Sequence, residues 1–200
     1  MSRYQIVWSA AAVSAAAGLA LTGCGSASPE ATEQAAPTAA TATATPDPVL
    51  GEGTFPVVED VDRQDPQEVA SATARLAHSW DTQFDTTQTD GLERAKPLMS
   101  NDFADTIQAP GRNAAQGEWV GASKHRSYSV PQLSPTLTDI DTDYGPNRKA
   151  FPFLAEWEWV GRDGEGMAGQ GRNGVQVFVE RESAGDEWEV VGYVSDDLSV

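Results

Sequence analysis

Two carboxylates, Asp81 and Asp85, stand four positions apart in "SWDTQFDTTQTDG". That spacing is one helical turn, so a helix here would put both on one face. A carboxylate withdrawn from water has a raised pKa and can act as a general base or acid. The same pair facing water, or bonded to nearby backbone, does no chemistry. Both readings stay open in the sequence, and Asp81 and Asp85 are the candidate catalytic residues.

Other chemistries each lack a required part. The two histidines, His78 and His125, would need carboxylates alongside them to hold zinc, and no spacing supplies these. Helical numbering puts His78 opposite Trp80 and in solvent, and His125 at a strand start. Asp139, Asp141 and Asp143 alternate like the opening of a calcium loop. Its sixth and twelfth positions, however, hold Tyr144 and Ala150 instead of Gly and Glu. Gly164 to Gly169 spells a dinucleotide fingerprint, but Asn173-Gly174 and a strand follow where a helix should receive the pyrophosphate. A flexible hairpin loop is expected there. Gly121-Ala122-Ser123-Lys124-His125 lacks the closing glycine of a nucleophile elbow. No metal and no cofactor are expected.

The single cysteine, Cys24, follows Arg3 and an alanine-rich apolar run. Leu21-Thr22-Gly23-Cys24 resembles the lipobox of bacterial lipoproteins. The resemblance implies a signal peptide over 1–23, cleavage before Cys24, and a thioether-linked diacylglycerol on Cys24. The protein is then expected at the cell membrane, lipid-anchored on the extracytoplasmic face. With one cysteine there is no intramolecular disulfide. No later run approaches the roughly 20 apolar residues that span a bilayer. A net charge of −17 repels nucleic acid backbones and anionic headgroups, so no nucleic acid partner is expected.

Residues 24–63 are rich in Ala, Thr and Pro with scattered acids and read as a disordered tether. As a flexible coil it would span on the order of 35 Å. Val57, Val58 and Val61 are placed to touch the domain that follows. Residues 64–200 suffice for one domain. Asp65-Pro66-Gln67-Glu68 is a helix start, and Val69, Thr73, Leu76, Trp80 and Phe84 continue as an apolar stripe. Asp90-Gly91-Leu92-Glu93 repeats the capping pattern, Pro97 should interrupt that helix, and Ser100 can cap a last turn. Three alternating runs follow. They group Phe151, Phe153, Ala155, Trp157 and Trp159; then Val175, Val177 and Val179; then Trp188, Val190 and Val194. Helices first and an antiparallel meander after them predict an α+β fold, with the N-terminal helices packed on a curved sheet. Four tryptophans fall on apolar faces, and Trp119 is left as a surface contact. Tyr128 and Tyr193 are given no place.

The stretch "LAHSWDTQFDTTQTDGLERAKPLMSNDFADTI", with the closing "DEWEVVGYV", resembles a group of actinobacterial exported proteins with the NTF2-like cone fold. Among them are accessory scaffold domains of conjugative-transfer and secretion machinery. The resemblance implies a non-enzymatic domain that docks or regulates an envelope protein complex. Cone folds of this type also resemble ketosteroid isomerases, which implies a second reading: a small-molecule-binding or isomerase-like protein using the cone interior and Asp81. A pocket with a desolvated Asp81 would favour the second reading; an interior filled by Trp157 and Trp159 would oppose it.

Overall fold

A computed structural model of the protein describes residues 47–109, 116–136, 144–164 and 167–198. Cys24 and Asp139, Asp141 and Asp143 lie outside the described residues. The compact unit that holds the described residues runs from Thr45 to Val200. Residues 47–63, expected in the tether, belong to it: Val58 and Val61 pack on the apolar core and Arg63 O accepts from Trp188 N at 2.8 Å.

Helix α1 (Pro66–Ala77) starts as its sequence dictates. The Asp65 carboxylate accepts from Gln67 N at 2.8 Å and Glu68 N at 3.3 Å, and Pro66 needs no partner at the first position. It buries Val69, Ala70, Thr73, Ala74 and Leu76. The expected stripe runs on to Phe84, but the helix stops at Ala77 and Phe84 is exposed. Two side chains draw off its last carbonyls: His78 Nδ1 bonds Ala74 O at 2.9 Å and Ser79 Oγ donates to Arg75 O at 2.8 Å. Such local bonds compete with continued helix.

Helix α2 (Thr89–Ala95) follows, and Gly91 lets it cross α1 closely. A Cβ at Gly91 would sit 2.6 Å from Leu76 O. Asp90 is not the cap expected of it. It lies inside the first turn and accepts from Thr86 N and Thr87 N. Lys96-Pro97-Leu98 breaks the helix into a 3₁₀ turn, and Ser100 Oγ caps α3 (Asn101–Ala104). Helix α4 (Gln116–Lys124) was not foreseen; two glycines and a weak apolar periodicity hide it.

Strands β1 (Tyr128–Pro135), β2 (Arg148–Val160), β3 (Met167–Glu180) and β4 (Glu189–Asp197) form one antiparallel sheet in the order β1-β2-β3-β4. The protein is α+β, as expected. His125 is not at the strand start but in the turn after α4. Phe153, Ala155, Trp157 and Trp159 share the inner face with Val175, Val177 and Val179, all buried. Their alternation follows from the two-residue repeat of the pleat.

Two expectations about the sheet need correction. The glycine-rich stretch after Gly164 is strand from Met167 onward instead of a hairpin loop. The rings of β2 explain this: Trp157 lies where a Gly171 side chain would be, and Trp159 Cδ1 is 3.7 Å from the Cβ position of Gly169. Indoles on one strand thus fill the space that glycines leave on the next. Val194 points outward and is 48% exposed, although Trp188 and Val190 are buried. Register places Val179 opposite Val190 but Phe178 opposite Gly192, so Val191 is a bulge residue. The bulge reverses the alternation and turns Tyr193 onto the core face.

Candidate functional site

The inner face carries two adjoining clusters. One, under α1, unites Val69, Leu76, Leu98, Phe153, Val177 and Trp188. The other consists of Trp80, Ala122, Trp157 and Trp159, with Trp119 packed on its edge. Trp80 meets Trp157 edge-on at 5.2 Å and stacks near Trp159 at 5.9 Å. These indoles pack against one another and fill the interior beside the end of α1. Trp119, expected at the surface, is partly buried and stands edge-on to Trp159 at 5.8 Å.

His78 is likewise not the solvent-facing residue of the helical reading. It is 1% exposed, turned inward where α1 ends, with its ring 5.4 Å from Trp80 and 5.3 Å from Trp157. Nδ1 faces the Ala74 carbonyl, which fixes it as the donor, and Nε2 then accepts from Asn173 Nδ2 at 3.3 Å. Burial lowers the His78 pKa below 6.5, offset in part by the Ala74 bond. The unfolded chain therefore takes up a proton more readily than the folded one. The sign follows: stability is full above about pH 6.5 and declines as pH falls below it. Urea unfolding between about pH 5 and 7 should show this loss, and His78→Gln should flatten the slope.

Asp81 and Asp85 sit past the end of α1 in a tight turn, where Asp85 N bonds Asp81 O at 2.7 Å. Asp81 is fully buried. Its carboxylate accepts from Gly51 N at 2.7 Å and Gln83 N at 3.0 Å, and both its oxygens are held by Arg162, at 2.9 and 2.7 Å. Arg162 in turn uses every N–H it has. Nη1 and Nη2 grip Asp81 and also reach Arg126 O and Val49 O, while Nε meets Glu52 at 2.5 Å. Tyr128 lies beneath the guanidinium at 5.0 Å. The hydrogen bond to Asp81, and less strongly that to Glu52, raises the Arg162 pKa further.

Asp85 accepts from the Asp81 backbone N–H at Oδ2, 2.8 Å, and has its own arginine. Arg94 Nη1 and Nη2 reach its oxygens at 2.5 and 3.0 Å, and Arg94 also donates to the Ser79 carbonyl. Desolvation raises the Asp85 pKa, against the lowering effect of Arg94. The sequence thus named both carboxylates and allowed for bonds to nearby backbone, such as Gln83 N to Asp81 and Asp81 N to Asp85, but not for their distant partners. Arg162 and Gly51 lie 81 and 30 positions from Asp81, too far for any spacing rule.

The bonds on Asp81 leave no lone pair for a substrate proton. They lock the segment from Val49 to Glu52 onto the turn, at the cost of a left-handed backbone at Glu52, φ 51°. Beside Arg162, whose backbone N–H bonds His125 O, His125 Nδ1 meets Asp163 at 2.7 Å, and Ser123 Oγ donates to Trp119 O. Tyr193 packs on the core; burial raises its pKa, moderated by a bond to Ser195. Among the described residues no group of three or more His, Cys, Asp or Glu could hold a metal ion. A groove of about 490 Å³ along β1, β2 and β3 is lined by polar groups including Gln132, Glu156, Glu158 and Arg172, and also by Trp157 and Gly171. Among the described residues no helix is long and apolar enough to cross a membrane. No family model matches the chain, and no curated protein or solved structure is detectably similar to it.

Proposed function

We propose that this chain is a lipid-anchored extracytoplasmic domain of the NTF2-like cone type. It docks or regulates a protein complex of the cell envelope and catalyses no reaction. The observation that supports this most is the saturation of Asp81: four hydrogen bonds fix it as a structural group. The indoles of Trp80, Trp157 and Trp159 occupy the interior that an isomerase would keep open. What remains to meet another molecule is a strongly acidic surface, which favours a partner with complementary basic groups.

Cys24→Ser tests the anchor. The unaltered protein is expected in the membrane fraction and the variant in the supernatant; a variant that stays with the membrane overturns the lipid reading. Crosslinking in cells tests the docking. The expected result is one membrane protein crosslinked reproducibly through residues of the 64–200 domain, and lost in Cys24→Ser. Recovery of uncrosslinked chain alone counts against it.

A further inference from the structure

Glu118 of α4 gives a single carboxylate oxygen, Oε1, to two indoles at once: Trp157 Nε1 at 3.0 Å and Trp159 Nε1 at 2.5 Å. The two tryptophans are two positions apart on β2, so the pleat puts both on one face and lets their N–H groups converge. An indole N–H can only donate. Two such donors aimed at one point make a seat for a carboxylate, and among the described residues no cation bridges the one that sits there. The third indole of the cluster is satisfied differently: Trp80 Nε1 donates to the backbone carbonyl of Gln88 at 2.7 Å.

The residue next to Glu118 completes a shape. Trp119 lays its ring edge-on against Trp159, so positions 118 and 119 together present a carboxylate beside a flat aromatic ring. The helix that carries them is intrinsically weak. Gly117 and Gly121 fall within its nine residues, each costing about 1 kcal/mol relative to Ala. Packing does not require Gly117, since a Cβ there would meet nothing within 4 Å. Val120 is 53% exposed, and Ala122 is the residue of α4 that is fully buried.

We propose that Glu118 and Trp119 are an internal stand-in for a small aryl carboxylate, which takes the Trp157–Trp159 N–H seat when α4 lifts away. The site lies within the described domain, and its test does not involve the membrane anchor. An internal plug lowers the apparent affinity by the fraction of time the seat is open. Removing the plug should therefore raise affinity without any new contact.

The test follows the indole N–H signals of Trp157 and Trp159 by ¹⁵N NMR in the full chain carrying Cys24→Ser. The probe is indole-3-acetate, and 3-methylindole is the uncharged control. Both signals are expected to shift with indole-3-acetate and to stay in place with 3-methylindole. Adding Glu118→Ala should tighten the apparent Kd at least about tenfold. Should Glu118→Ala fail to fold, Glu118→Gln, which keeps a neutral acceptor, should tighten it by a smaller factor. No shift in the chain that retains Glu118 up to the solubility of the probe overturns the proposal. Equal response to 3-methylindole, or an affinity unchanged in the Glu118 variants, also overturns it.

Discussion

Arg162→Ala is expected to destabilise the domain by about 3–5 kcal/mol, the penalty for leaving a buried charge without its partner. Against a total stability of roughly 5–15 kcal/mol, that removes a large share of the fold's margin. Arg162 has a 9% exposed side chain and holds both oxygens of a carboxylate that is fully buried. Its removal also frees Val49 O, Glu52 and Arg126 O in one step. Two readouts separate this from a general loss of packing. Urea denaturation should show the midpoint fall, and hydrogen exchange should show Gly51 losing protection, since Gly51 N is held by the other member of the pair. Asp81→Asn with Arg162→Met should lose clearly less than the two single changes added together, because neither charge is then left stranded. A loss in Arg162→Ala below about 1 kcal/mol, the range of surface pairs, would mean that water reaches the pair.

Trp159→Ala is expected to cost about 3–5 kcal/mol, the usual range for removing a large buried aromatic. Trp159 is 0% exposed, stacks near Trp80, takes the edge of Trp119 and donates its indole N–H to Glu118. Alanine loses all three interactions and leaves a void in the core. Trp159→Phe keeps the ring stacking and loses the N–H, so its cost should be a fraction of the alanine value. Chemical denaturation of the three proteins checks the order: unaltered, then phenylalanine, then alanine. Equal losses for phenylalanine and alanine would assign the main contribution to the Glu118 bond instead of to packing.

Taken together, these residues show where local rules are sufficient. The start of α1 was legible because its cap is made within four residues, by Asp65 and Pro66. The inner faces of β2 and β3 were legible because a pleat alternates whatever surrounds it. The end of α1 was harder to see, since side chains at His78 and Ser79 stop the helix while its apolar stripe continues. The strand at Gly169 and Gly171 was hidden, because the groups that stabilise it are indoles on the neighbouring strand.

The candidate site divides in the same way. By itself the sequence determined the α+β class, the apolar faces, the acidic balance and the pair Asp81 and Asp85 as the carboxylates to watch. What those carboxylates do was decided by the tertiary structure alone. Arg162 arrives from the turn after β2, Gly51 from the segment before α1, and Arg94 from α2. Proton transfer needs a carboxylate with an open lone pair, whereas an ion pair closes it. Which of the two a buried aspartate becomes depends on partners distant in the chain, and only folding brings those together.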